Sequence, residues 1–136
     1  MISSGRMHLF AYGTLMCEDI MTNVSGRRLS CAAGILRGYS RRSVRGECYP
    51  ALILDADDHV DGLIYNDVPD SMWSALDRFE GDMYARQEVQ VERLDGTPLT
   101  ALTYVTRPEF LGRLEASGWN YEDFLRDGKE RVLNES

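Results

Sequence analysis

The sequence is poor in the residues that staple small proteins or gather metals. It has three cysteines, Cys17, Cys31 and Cys48, and two histidines, His8 and His59, in 136 residues. An odd number of widely spaced cysteines sets out no disulfide framework, and the N-terminus lacks the apolar run of a secretory signal, so a reducing cytoplasm is the expected location. With no Cys-x-x-Cys or His-x-x-x-His pair there is no ligand cluster, and no metal is expected. Neither histidine stands at a recognisable spacing from Cys48, which weighs against a thiol nucleophile. The glycine-rich spacing and Lys-Ser/Thr of a phosphate loop are missing too, and no cofactor is expected. No apolar stretch approaches the roughly 18 residues that span a bilayer, so no membrane partner is expected. Positive charge is also short: Lys plus Arg number 15 against 22 for Asp plus Glu, a formal net charge of −7. Such a chain repels a phosphate backbone, and nucleic acid is not expected as a partner. Composition sets no oligomeric state.

What is present suits one compact domain with a real core, because 43% of the residues are hydrophobic. The domain is assigned to residues 7–136. "MISSGR", residues 1–6, is polar and reads as a flexible tail or as residues upstream of an alternative start. "MHLFAY" then suits a buried strand that breaks at Gly13, and "LMCEDIMTNVSG" a short helix stopping at Gly26. "RRLSCAAGILRGY", "RRSVRGEC" and "PALILDADD" read as separate strands. A polar turn at Asp57 and Asp58 leads into "HVDGLIYNDV" as a hairpin.

The next segment, "PDSMWSALDRFEG", carries Met72, Trp73, Leu76 and Phe79 on one helical stripe, with Asp70 or Ser71 as cap and Gly81 as stop. "QEVQVERLDGTPLTALTYV" alternates through Val89 and Val91 about a turn at Asp95-Gly96, a second hairpin. Asn120 caps a last helix, "YEDFLRDGKERVL", which is acidic at its start and basic in its later half and is expected to dock on the sheet as a lid or brace. Six or seven short strands, about three helices and no regular alternation predict an α+β domain. Its sheet is strongly curved and mostly antiparallel, closing toward a small β-barrel flanked by a few helices.

Glu80 is the oddest charge in this pattern. It lies four residues after Leu76 and seven after Trp73, so on a helix it prolongs the apolar stripe. There, desolvation and the negative end of the helix dipole both disfavour the ionised form and raise the pKa toward a useful range. Periodicity alone weighs toward the plainer outcome, in which the last turn bends outward and Glu80 is solvated or paired with Arg86. "AYGTL" offers a glycine turn whose backbone N–H groups suit a small anion, although such a pair most often marks only a tight turn. Arg41, Arg42 and Arg45 gather in "GYSRRSVRGE", either as a solvated strand edge or as the receiver of one small anion. Tyrosines are numerous, and most are expected in the core or at its rim with hydroxyls on water or backbone.

Taken in order, "FAYGTLM", "GYSRRSVRGECYPALI", "VDGLIY" and "ALDRFEGDMYARQEVQV" resemble the gamma-glutamyl cyclotransferase-like family, in particular its branch of small bacterial and plant gamma-glutamylamine cyclotransferase-like proteins. The resemblance spans roughly residues 9–105. It implies a small barrel flanked by helices, and it implies an enzyme that releases 5-oxoproline and an amine from a small gamma-glutamyl substrate without a cofactor. It reverses the weighing for Glu80, which becomes the general acid/base. Tyr12, Gly13, Thr14 and Leu15 become the substrate-binding turn, and Tyr84 and Tyr104 match aromatic positions near the site. Of Arg42 and Arg45, either one helps bind the substrate carboxylate or both are structural, and the weighing favours structural. Two other functions would use the same pocket: a binding module for a gamma-glutamyl-like metabolite, or a gamma-glutamyl acyl-removing step in a biosynthetic pathway. Residues 106–136 carry little of the family pattern.

Overall fold

The computed structural model describes residues 6–135. The expected tail therefore lies outside the described residues except for Arg6, which already belongs to the first strand. Five strands form a closed barrel: β1 (Arg6–Ala11), β2 (Cys31–Ser43), β3 (Pro50–Pro69), β4 (Tyr84–Arg93) and β5 (Pro98–Thr106). Their order round the barrel is β1-β3-β2-β4-β5. Every neighbouring pair is antiparallel except β1 with β5, where His8 sits opposite Ala101 in parallel register. Closure leaves the barrel without an open edge along its circuit. The α+β class and the curved, mostly antiparallel barrel are as expected.

The strand count differs, five long strands replacing six or seven short ones, and two local irregularities account for it. β2 runs through Gly38, which takes φ +89 at a register shift, so glycine here bends a strand instead of ending it. Opposite it, Arg37 pairs with His59 while Tyr39 pairs with Leu54, so residues 55–58 of β3 bulge out against one residue of β2. The expected turn at Asp57 and Asp58 is this bulge, and the hairpin in this region is β2 with β3. The second hairpin, β4 with β5 about Asp95-Gly96, stands where the alternation placed it.

Among the described residues four helices flank the barrel: α1 (Glu18–Ser25), α2 (Trp73–Glu80), α3 (Tyr121–Asp127) and α4 (Lys129–Glu135). Residues Asp70–Met72 form a 3₁₀ turn ahead of α2, and neither Asp70 nor Ser71 caps the helix through its side chain. Asn120 does cap α3, its Oδ1 accepting from the Asp123 amide at 2.9 Å. The expected single last helix breaks at Gly128. A Cβ there would sit 2.8 Å from the Cβ of Cys48, so the chain turns where it meets the β2–β3 connection. Lys129 Nζ donates to Asp19 Oδ2 at 2.8 Å and ties α4 to α1.

Alternation along β1 divides the core. Phe10 packs with Ile64, Leu36 and Val91, whereas Leu9 packs on the other face with Ile20, Met21 and Leu76 from the helices. Among the described residues no helix is long and apolar enough to cross a membrane.

Candidate active site

The strand β1 ends at Ala11, and the chain turns at Gly13 into a short 3₁₀ segment, Thr14–Met16. The turn is tight because Met16 and Cys17 amides donate to the carbonyls of Gly13 and Thr14, at 2.9 and 3.1 Å. Among the described residues no acceptor engages the amides of Gly13, Thr14 and Leu15. Three successive N–H groups of a cavity-lining turn are thus left without protein partners. Gly13 is required by close approach: a Cβ would lie 2.8 Å from Pro50 Cγ and 2.9 Å from its Cδ. The Tyr49-Pro50 pair therefore packs directly on the Tyr-Gly-Thr-Leu turn, although 36 residues separate Gly13 from Tyr49 in the chain.

Glu80 comes from the opposite direction, as the last residue of α2 before Gly81. Trp73 and Leu76 on its own stripe are buried, which pulls the helix end inward and brings Glu80 with it. Glu80, Tyr12, Gly13, Thr14, Leu15, Tyr84 and Tyr104 all line one cavity of about 570 Å³. Arg86, the partner offered by the plainer outcome, binds Asp77 instead at 3.7 Å and lies over the ring of Trp73 at 4.9 Å. Among the described residues no basic group lies within ion-pair distance of Glu80. Burial, and then the like charge of Asp77 one turn back, push its carboxyl up to about 8.

The three tyrosines build walls, and their hydroxyls are engaged. Tyr12 Oη donates to the Tyr104 carbonyl at 2.6 Å, and Tyr84 Oη to the Pro50 carbonyl at 2.6 Å. Tyr104 Oη donates to Asp77 Oδ1 at 2.7 Å. Burial raises all three phenols above their ordinary range, so each stays a neutral donor and none is a base. Tyr65, buried behind the turn, donates to the Leu15 carbonyl at 2.7 Å.

Several residues of the site were not singled out by sequence reasoning. Asp77 and Arg78 precede Glu80 on the same helix, a spacing that was available as a signal but carried no weight without a cavity. Asn23 and Val24 of α1 and Val132 of α4 also reach the cavity. Of the basic run, Arg41 is half-buried: its Nη1 donates to the Tyr12 carbonyl at 2.8 Å. Arg45 Nη2 donates to the Gly112 carbonyl at 3.3 Å. Arg41 fastens backbone from a half-buried position, so neither the solvated edge nor the small-anion receiver describes it, whereas Arg45 is exposed, as a solvated edge requires.

This geometry sits on a shared scaffold. The family whose model matches, over residues 9–123, is described as gamma-glutamyl cyclotransferase, AIG2-like. AIG2-like protein D of Arabidopsis thaliana is 33% identical over 134 residues, covering 91% of this chain and 88% of that protein. The solved structure of an AIG2-like protein from Mus musculus is 28% identical with a TM-score of 0.61, covering 85% of this chain and 88% of that one. A solved gamma-glutamyl cyclotransferase superposes with a TM-score of 0.67, covering 94% of this chain and 86% of that one. At 17% identity, that likeness shows the fold alone.

Proposed function

The chain belongs to the gamma-glutamyl cyclotransferase, AIG2-like family, and from that premise we propose that it releases 5-oxoproline and a free amine from a gamma-glutamyl amine or peptide. One observation carries the proposal: a sheltered carboxyl without a counter-ion, Glu80, shares a cavity with the partner-free amides of Gly13, Thr14 and Leu15.

A gamma-glutamyl amide holds its own nucleophile. The alpha-amine attacks the gamma-carbonyl carbon, the new C–N bond closes a five-membered ring, and the bond to the departing nitrogen breaks. One proton leaves the attacking nitrogen and one is needed by the departing nitrogen. Glu80 as carboxylate accepts the first and, now protonated, delivers it to the second. A group with its pKa near 8 is suited to both directions, with roughly one molecule in ten ionised at pH 7. Proton transfer of this kind is worth about 10²–10⁴ in rate. Holding the substrate folded for intramolecular attack supplies roughly 7–11 kcal/mol more. The turn amides would hold the substrate alpha-carboxylate or the developing oxyanion.

The test is to incubate the protein with gamma-glutamyl amines, gamma-glutamyl peptides and glutathione and to measure 5-oxoproline. Product from at least one of them, absent with Glu80→Gln, supports the proposal. Glutamate in place of 5-oxoproline marks a hydrolase. Tight binding without turnover marks a binding module.

A further inference from the structure

The cavity has further lining for which the proton-transfer chemistry has no use, and at the exposed Arg78 this lining meets solvent as a rim. To that lining α2 contributes Phe79 and Arg78, α1 contributes Val24, and α4 contributes Val132. Three of these side chains are apolar. Arg78 is the one basic side chain among the described residues lining the cavity.

Among the described residues Arg27, Arg42 and Arg93 share with Arg78 the lack of a side-chain hydrogen bond or ion pair, but none of those three lines the cavity. Arg41, Arg45 and Arg107 donate to backbone carbonyls, and Arg28, Arg37, Arg86, Arg113, Arg126 and Arg131 reach carboxylates. The exposed Arg78 makes no side-chain hydrogen bond or ion pair among the described residues. Partners are close in the chain, yet Asp77 is held by Arg86 and Tyr104, and Asp82, four residues on, forms no ion pair with it. In a chain of net charge −7, a cation left without a carboxylate at a cavity rim has its planar donor fork available to an anion from outside.

A gamma-glutamyl conjugate of an amino acid with an uncharged side chain brings two carboxylates: its own alpha-carboxylate, which suits the partner-free amides of the turn, and one on the departing amine. Resting on the cyclotransferase reading above, we infer that Arg78 anchors a carboxylate on the departing amine, whose apolar body lies against Val24, Phe79 and Val132. The substrate class is then a gamma-glutamyl conjugate of an apolar amino acid, and not of a simple amine. Arg78 sets specificity and takes no part in proton transfer.

The experiment separates the subsite from the chemistry by using Glu80→Gln protein, in which binding is measured without turnover. Calorimetry compares gamma-glutamyl-leucine, its C-terminal amide and gamma-glutamylglycine, while the unmodified protein is assayed for 5-oxoproline from the same three. Because the rim is wet, the acid should bind roughly fivefold tighter than the amide, and that ratio should fall to near one when Arg78→Gln is added. Leucine should bind more tightly than glycine. Equal affinity for acid and amide, or a preference that survives Arg78→Gln, overturns the anchor. Equal affinity for leucine and glycine overturns the apolar wall. Acid preference without 5-oxoproline from the unmodified protein keeps the subsite and removes the cyclotransferase, and turnover without preference does the reverse. No binding of any of the three overturns both.

Discussion

Arg41 Nη1 donates to the carbonyl of Tyr12 at 2.8 Å, and thereby fastens the turn lining the cavity to the arm formed by β2 and β3. The same nitrogen reaches the Asp61 carbonyl at 3.3 Å, and the guanidinium lies 5.3 Å from the ring centre of Trp119. Trp119 is itself anchored, its Nε1 donating to the Cys48 carbonyl at 2.7 Å. The C-terminal region therefore reaches the site in two ways, directly through Val132 and indirectly by covering the arginine that holds the turn.

Arg41→Met keeps the apolar stem under Trp119 but removes the donors, leaving the buried Tyr12 with an unpaired carbonyl. Urea unfolding should show a loss of about 1–3 kcal/mol. Turnover should fall with it, because the turn amides lose their fixed position. Arg41→Lys should fall between the two, since one ammonium on a flexible stem reproduces the charge without the fork. Full stability and full activity in Arg41→Met would show that the turn holds itself.

Glu80→Gln preserves shape and removes the titrating proton. Activity should drop by about 10²–10⁴. Stability should move the other way, with a pH dependence of definite sign. The folded pKa, pushed up to about 8 by burial and then by Asp77, lies above the ordinary value near 4.5. Between those two values the folded protein keeps a proton that the unfolded chain gives up, so the unmodified protein loses stability as pH rises through that window. The variant cannot ionise and escapes this loss. Melting curves should nearly coincide at pH 4.5 and diverge as pH rises, the variant melting higher at pH 8.5 by roughly a few degrees or more. A variant that melts lower at every pH would make the residue structural.

Much of this was legible in the sequence, and the failures share one cause. The alternation of Val89 and Val91, the Asp95-Gly96 turn and the stripe from Trp73 through Leu76 to Glu80 are local patterns, and each appears where the period put it. Gly38 and Asp57-Asp58 read as strand ends because glycine and aspartate disfavour strands. The pairing between Arg37 and His59 on one side and Tyr39 and Leu54 on the other absorbs both as one bulge. The break at Gly128 depends on Cys48, eighty residues earlier, which no local period can show. Arg41 and Arg78 are alike in sequence character. One is half-buried beneath Trp119 and the other is open at the cavity rim, a difference set only by tertiary packing.

Asp77→Asn isolates the second cause of the Glu80 shift. The change removes a like charge one helical turn away while leaving an oxygen that still accepts from Tyr104 Oη. Arg86 loses its ion-pair partner but keeps the face of Trp73. The rising limb of the pH–rate profile, set by ionisation of Glu80, should move to lower pH than in the unmodified protein. An unmoved limb would assign the whole shift to burial.

Gly13→Ala tests how the two distant motifs meet. The added methyl group would enter the space of Pro50 Cγ at 2.8 Å, so either the turn or the Tyr49-Pro50 pair must shift. Overpacking of this kind costs about 1–3 kcal/mol. A shift of Pro50 also disturbs the carbonyl that accepts from Tyr84 Oη, so the wall of the cavity moves with it. Turnover should fall further than stability alone explains. Adding Pro50→Ala removes the ring atoms that clash and keeps the carbonyl, so the double variant should recover a large part of the lost activity. Double-mutant analysis of kcat/KM and of urea unfolding would then give coupling of the same sign in both. Losses that simply add would show that the turn and the proline act independently, and that Gly13 answers to its own backbone alone.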